Sequence, residues 1–407
     1  MTILTLTKVD VGMMEDVGTS ANQLIQLDST GKIPAVDGSL VTGVVAGMSG
    51  SSDPTISTNP STGVGTKFKN TTDGEIFICT DATAGENVWK NVGEGTGDVK
   101  PYHGWGSSYG YCAAGSLAGP TWPNVNTIDK FSLVSTSNAT DVGDLLGTRG
   151  NNGKASSSTH GYSAGGEVNV IEKWSMIADA NSTDVGDLVS PTVGATEGCW
   201  STTYGYMAGG NPTNNIIQKY PFATDTNATD VADLTRTGWT DGAGGNQSSD
   251  YGYVIGGSVQ PRGSPGQAWE DINKWAFATS ANATDIGNLT IGSWSVGSTS
   301  SSTYGYTMGG ATTALGRGNI IDKFSFASDG NATDVGDMLQ ATQRTFGISS
   351  TTHGYGAGGT NPTWPGTPSY HPVWTSIEKF SFASDGNSVD TTQDLTQARC
   401  SGAASQI

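Results

Sequence analysis

The hydrophobic pattern of this chain has no long stretch with helical spacing; apolar and aromatic residues instead arrive in short clusters separated by Gly, Ser, Thr and Asn. From about residue 104 to the C-terminus those clusters repeat. One phrase recurs six times: Tyr/His-Gly-Tyr, two variable residues, a Gly pair (Ala-Gly in the first copy), a variable loop, Ile-x-Lys-aromatic, a polar turn, then Thr-Asp-Val-Gly-Asp-Leu or a variant of it. The first element begins at Tyr109, His160, Tyr204, Tyr251, Tyr304 and His353, and Ile-x-Lys begins at Ile128, Ile171, Ile217, Ile272, Ile321 and Ile377. A period near 50 residues is the signature of a propeller blade. Each period holds four short strands: a, the Ser/Thr/Gly-rich run such as Arg344-Thr-Phe-Gly-Ile-Ser-Ser; b, Gly-Tyr-x-x-Gly-Gly; c, Ile-x-Lys-Phe-Ser-Phe; and d, around Val-Gly-Asp-Leu. Strand c lacks clean alternation, as expected where both faces of a sheet are covered.

The last residues, Gln397 to Ile407, read as another strand a with no strand b after it, while the first copy has only the truncated Gly104-Trp-Gly-Ser-Ser. The expectation is therefore an all-β chain whose residues 101–407 form a six-bladed β-propeller closed by the C-terminal strand, which removes exposed sheet edges. Seven blades would follow if residues 65–95 formed another.

The Gly pairs Gly165-Gly166, Gly209-Gly210, Gly256-Gly257, Gly309-Gly310 and Gly358-Gly359, each followed by an aromatic in the next strand, resemble kelch-type propellers over about three-quarters of the chain. The chain departs from the kelch pattern at the end of strand d, where the kelch tryptophan is missing.

Residues 1–50 read differently. Ala21-Asn-Gln-Leu-Ile-Gln-Leu-Asp-Ser-Thr-Gly-Lys-Ile-Pro-Ala-Val-Asp-Gly-Ser-Leu is similar to a segment of bacteriophage tail-fibre and other virion proteins. Asp73-Gly-Glu-Ile-Phe-Ile-Cys-Thr-Asp with Asn87-Val-Trp-Lys-Asn-Val-Gly resembles a small β-hairpin module of such fibres. The resemblance implies an N-terminal virion-attachment arm over 1–50, then a linker and hairpin module over 51–100. The Ser/Gly/Thr/Pro-rich residues 46–64 read as linker, and 93–101 as a second hinge.

Composition narrows the function classes. Formal net charge is -18, with 19 Lys and Arg against 37 Asp and Glu and no basic run, which argues against nucleic acid or an anionic membrane as partner. Met1-Thr-Ile-Leu-Thr does not read as a secretory signal, and no apolar run is long enough to span a bilayer, so no membrane insertion is expected. Cys79, Cys112, Cys199 and Cys400 match no zinc or redox spacing and read as free core thiols.

The repeated acids Asp141/Asp144, Asp184/Asp187, Asp230/Asp233, Asp285/Asn288 and Asp334/Asp337 read as turn chemistry rather than calcium ligands, because too few fall in any one turn. Lys130, Lys173, Lys219, Lys274, Lys323 and Lys379 are expected to be partly buried and paired to an Asp of their own or a neighbouring blade. Asn138, Asn181, Asn227, Asn282 and Asn331 match the glycosylation acceptor pattern but sit where a turn wants Asn anyway. His160 and His353 replace Tyr in the repeat and read as structural; with His103 and His371 they form no catalytic constellation, so no enzyme, cofactor or metal is expected.

Loop length distinguishes the two ends of the repeat. The c–d turns are nearly constant, while the b–c loops vary and carry Trp122, Trp269, Trp364, Tyr370, His371 and Trp374, several of them beside Pro. Such rigid aromatics suit sugar rings or protein hot spots; packing on a virion neighbour and local capping are the alternatives. Adjacency of the first and last blades would gather Trp122, Trp364, Tyr370, His371 and Trp374 into one sector. The reading is a phage virion structural protein of tail-fibre type, on the particle surface. It would join other virion proteins through its arm, as a homo-oligomer, and its propeller would bind a host-surface glycan or protein. The alternative is an architectural tail or capsid-surface subunit whose propeller contacts other virion proteins.

Overall fold

The computed structural model describes residues 47–92, 104–119, 121–190, 198–210, 215–236, 242–258, 268–312, 318–361 and 372–407. Among them there is no helix, and the chain divides into two compact units, Met1–Pro101 and Tyr102–Ile407.

In the first unit, strands Met48–Gly50, Lys67–Asn70, Ile76–Asp81 and Val88–Asn91 form one sheet in that order. The first pair is parallel and the rest antiparallel. Lys67–Asn70 alternates exposed and buried residues, as a sheet with one covered face requires. Phe68, Phe77, Cys79 and Trp89 make the core, with Met48 packed on it. This module is larger than the expected hairpin. It also recruits part of the stretch read as linker: Asn87 donates from its backbone and side chain to the carbonyl of Ile56, and Asn70 Nδ2 reaches Asp53 at 2.8 Å. Buried amides, which a composition-based reading of 46–64 ignores, hold that segment in place. Of the arm expected over residues 1–50, residues 1–46 lie outside the described residues, and Met48–Gly50 belongs to this sheet.

Among the described residues, the second unit contains six four-stranded antiparallel sheets, each in the order a-b-c-d. The first takes strand a from the C-terminus: Ala403–Gln406 pairs with Tyr109–Ser116, which continues to Asn124–Ser132 and Thr140–Asp144. The second is Asn152–Ser156, His160–Gly165, Val170–Ser175 and Thr183–Asp187. The third is Cys199–Trp200, Tyr204–Ala208, Ile216–Pro221 and Thr229–Asp233. The fourth is Gly244–Gln247, Tyr251–Ile255, Asp271–Ala276 and Thr284–Asn288. The fifth is Gly297–Ser300, Tyr304–Met308, Ile320–Ser325 and Thr333–Asp337, and the sixth Phe346–Ser349, His353–Ala357, Ser376–Ser381 and Val389–Asp394.

The repeat residues explain these sheets. The middle Gly of Tyr/His-Gly-Tyr exists because the strand-c aromatic lies over it: a Cβ on Gly161 would overlap the Trp174 ring, and one on Gly305 the Phe324 ring. Those aromatics are buried between sheets, so the hydrophobic clusters cross sheet boundaries; Phe131 of the first sheet packs with Phe346 and Tyr355 of the sixth. The second Tyr of the motif stacks on the next sheet, as Tyr162 on Phe222 and Tyr306 on Phe382, with centroids 4.7 and 4.9 Å apart. Gly358 and Gly359, with φ of 59° and 104°, show why the pair is glycine: both occupy the left-handed region, and a Cβ on Gly358 would strike the Arg399 carbonyl.

Strand a of each sheet lies against strand a of the next, from the first sheet to the sixth and back to the first. Its small residues permit this approach, and its hydroxyls bridge the backbones: Gln406 N–H donates to Ser156 Oγ at 3.1 Å, Gly245 N–H to Ser298 Oγ at 3.1 Å, and Ser300 N–H to Ser349 Oγ at 2.9 Å. Buried among these strands, Lys154 of the second sheet donates to the carbonyls of Ser298 in the fifth and Gly347 in the sixth, both at 2.9 Å.

Candidate functional site

The antiparallel order puts the c–d and a–b turns at one end of every sheet, and the b–c loops and d–a connections at the other. The first end is tied down by its own repeat chemistry. Asn138, Asn181, Asn227, Asn282, Asn331 and Asn387 each accept, through Oδ1, the backbone N–H at the end of the preceding sheet's strand d, at 3.0–3.1 Å. The sixth step runs from Asp394 to Asn138 and returns to the first sheet. Asp141, Asp184, Asp285 and Asp334 each cap the N–H two residues on, which is the expected turn chemistry.

The lysine row divides. Lys130, Lys173, Lys274 and Lys323 pair with Asp179, Asp225, Asp329 and Asp385 of the following sheet at 2.6–2.9 Å. Among the described residues Lys219 and Lys379 have no such pair, a correction to the expectation for all six; the corresponding turn positions are Ser280 and Thr136. Lys219 lies 4.6 Å from the Tyr204 ring centroid, a contact that Lys130, Lys274 and Lys323 also make beside their ion pairs. His160 and His353 each share a 2.8 Å hydrogen bond between Nδ1 and the preceding threonine hydroxyl. Burial, then Lys173 or Lys379, pushes both imidazoles below their ordinary range. All four cysteines are free and buried.

A further row escaped the sequence reading, which left the x of Ile-x-Lys uninterpreted. Asp129, Glu172, Gln218, Asn273, Asp322 and Glu378 occupy it, and each accepts the N–H of the residue after the preceding sheet's strand d Leu or Met, at 2.7–3.1 Å. The signal was present: in six copies x is always Asp, Glu, Asn or Gln, the side chains that offer a carbonyl-type acceptor. Of this row, Asp129 and Glu172 also pair with Arg399 and Arg149, while in the fourth sheet Asp271, two residues before Asn273, pairs with Arg236.

At the loop end, Trp269 lies over Arg236, with Cζ 4.2 Å from the ring centroid. Trp374 is anchored through its backbone to Gly359 and Arg399, and its buried Nε1 has no acceptor among the described residues. Trp122, with φ of 48°, faces Arg344, whose Cζ is 5.7 Å from the ring centroid. Trp122 and Trp374 are drawn toward one segment: Ser116, at the head of the Trp122 loop, bonds Cys400 in both directions, and Trp374 accepts from Arg399. Trp269 belongs to the fourth sheet, where it bonds Gly257 and Ser293. Trp364, Tyr370, His371 and His103 lie outside the described residues.

Just before strand a, the d–a connections form a collar. Ser401, Asn151, Gly242, Ser295 and Arg344 have φ of 62°, 57°, 73°, 56° and 60°. Their backbones run in series: Asn151 N–H donates to Ser401 O at 2.6 Å, Ser401 to Arg344 at 3.0 Å, Arg344 to Ser295 at 2.7 Å, and Ser295 to Gly242 at 2.6 Å. Arg344 is therefore a collar residue rather than the start of strand a, which begins at Phe346. The collar is made by backbone groups, so its residue types share no pattern a sequence could reveal. Beside it is a cavity whose lining includes Asn152, Ser295, Arg344, Thr345 and Ser401.

No protein-family model matches the chain, and no curated protein is similar to it.

Proposed function

We propose that residues 102–407 are a six-bladed, kelch-like β-propeller, and that the chain is a phage virion protein of tail-fibre type whose propeller binds a host-surface receptor. The observation that carries the architectural part is the return step from sheet six to sheet one. It recurs in the backbone caps, the strand-a contacts, the aromatic packing and the strand-c acceptors. Supporting a binding role over catalysis, the repeated carboxylates are committed to backbone N–H groups and cations, while variable loops at the other end carry Trp122, Trp269 and Trp374. The virion assignment rests on the resemblance of the N-terminal segments at 21–40 and 73–93 to segments of phage fibre proteins.

Leu146, Val189 and Leu339, just after strand d in three sheets, are 63, 53 and 57% exposed. That observation favours the second reading, in which the loop end packs on a neighbouring virion protein. Labelled full-length protein incubated with the bacteria the particle infects separates the two. Surface binding lost on Trp122→Ala with Trp374→Ala supports the receptor role. Absence of binding, with the chain located between other subunits by electron microscopy of the particle, supports the architectural one. Images of the free protein that lack a six-lobed ring would end the propeller assignment.

A further inference from the structure

We propose that the solvent-facing side of the four-stranded sheet in the first unit is a docking surface for an acidic amphipathic helix of a partner protein. This surface belongs to the first unit alone and does not depend on what the second unit binds.

Side-chain alternation builds the surface. Lys67 and Lys69 are exposed, whereas Phe68 and Asn70 are buried. Ile76 and Ile78 alternate in the same way with the buried Phe77 and Cys79, and Val88 and Lys90 flank the buried Trp89. The register sets these residues in two rows across the strands. Lys67 is opposite Ile78, and Ile78 is opposite Lys90. Lys69 is opposite Ile76, whose carbonyl accepts the Val92 N–H at 2.9 Å. One row thus reads cation, apolar, cation, and the other cation, apolar, apolar. Ile76 and Val92 are 44 and 60% exposed, and adjacent apolar residues open to solvent mark a contact surface.

Charge is sorted to the same side. All three lysines of residues 47–92 lie on this face. The acids of that stretch occupy loops and strand ends instead, and four of them are engaged there. Asp53 and Asp73 each accept from Asn70 Nδ2 at 2.8 Å, Glu75 accepts from Asn91 Nδ2 at 2.7 Å, and Asp81 accepts from the Thr83 hydroxyl at 2.7 Å. A basic and apolar face on a chain of formal net charge -18 is complementary to an acidic partner.

Spacing selects a helix. Neighbouring strands lie about 4.8 Å apart, so Lys67 and Lys90 are about 10 Å apart with Ile78 midway between them. Positions i and i+7 of a helix are about 10.5 Å apart, with i+3 and i+4 between them on the same face. Acids at i and i+7 with leucines at i+3 and i+4 therefore match the first row. Other occupants fit less well. Two copies apposed through this same face would set lysine against lysine. Among the described residues of the unit there is no arginine, and Phe68, Phe77 and Trp89 are buried on the opposite side. The face thus lacks the stacking platforms of nucleic-acid sites and the aromatic anchors of membrane-surface elements.

The test is fluorescence anisotropy of the full-length protein with three labelled helical peptides: one with glutamate at i and i+7 and leucine at i+3 and i+4, a scrambled peptide of the same composition, and one with lysine in place of glutamate. Phosphatidylglycerol vesicles and duplex DNA are measured in parallel. The glutamate peptide is expected to bind at least tenfold more tightly than the scrambled one, and less tightly as salt rises. Ile76→Thr, which keeps a β-branched residue, is expected to weaken that binding at least fivefold. Lys67→Glu combined with Lys90→Glu should lose the glutamate peptide and gain the lysine peptide, a reversal that an unfolded chain would not show. Failure of the unmodified protein to prefer the glutamate peptide over its scrambled form, or tighter binding to vesicles or DNA, would overturn the proposal however the variants behave. So would a charge-reversed protein that melts like the unmodified one and still prefers the glutamate peptide.

Discussion

Asn138 and Asp394, 256 positions apart, meet where the last sheet adjoins the first: Asn138 Oδ1 accepts the Asp394 backbone N–H at 3.1 Å. Asn227 makes the same bond to Asp187, at 3.1 Å, between the second and third sheets. Each cap is worth about 1 kcal/mol in the usual range for such bonds. Asn138→Ala and Asn227→Ala are therefore expected to destabilise the protein by similar amounts in urea unfolding. A loss for Asn227→Ala with none for Asn138→Ala would mean that the seam between the first and sixth sheets does not form in solution.

Lys154 holds strands of three sheets through its two carbonyl acceptors. Lys154→Ala leaves the Ser298 and Gly347 carbonyls without their donor and opens a void among strands of small residues. A loss of roughly 2 kcal/mol is expected. Hydrogen exchange should accelerate across the a strands of the second, fifth and sixth sheets together; acceleration confined to the second would show that the lysine does not couple them.

Asp322 gives a pH test with a defined sign. Burial raises its carboxyl above the ordinary 3.8, opposed by hydrogen bonds from the Thr290 hydroxyl and backbone, with Asp334 adding to the rise. The raised value means that its contribution is fully present below the unfolded pKa and is lost as pH rises through the folded one. Asn273 occupies the same position in the fourth sheet and accepts both the Thr235 N–H and hydroxyl through Oδ1, so an amide fits. Asp322→Asn should therefore gain stability relative to the unmodified protein as pH rises from about 3.5 to 7, read as the difference in melting temperature. The shifts of His160 and His353, common to both proteins, cancel in that difference. A difference that is flat, or that falls with pH, would contradict the assignment.

Among the described residues Lys219, like Lys379, lacks the carboxylate that the other four repeat lysines have, and the corresponding turn residue, Ser280, is exposed. Ser280→Asp should create a fifth ion pair. Surface pairs of this kind are worth about 0.5 kcal/mol and weaken with salt. The gain in melting temperature should shrink between low and high salt; a gain independent of salt would point to a turn effect instead.

Much of the repeat's local chemistry was legible in the residues themselves. Strand positions, the left-handed backbone of the glycine pairs and the Asp turns depend on neighbours a few positions away, so Gly358-Gly359 or Asp141 carry those roles in local sequence, whereas the Asn caps find their partners in the preceding sheet. The x position was equally readable, since all six residues from Asp129 to Glu378 share acceptor chemistry, but its partner lies in another sheet. The lysine row shows the limit of reading one copy for all: Lys219 and Lys379 repeat faithfully while the residues facing them do not.

The sequence by itself determined an all-β chain with six equivalent units and a C-terminal strand to pair with the first, because hydrophobic period, glycine requirement and turn preference are short-range properties. Tertiary structure alone decided which side chains share a space. Arg344 became a collar residue under Trp122, Asn152 came to line the same cavity, and Lys154 reached two distant strands, because those placements depend on backbone hydrogen bonds and sheet-to-sheet packing that no residue type encodes.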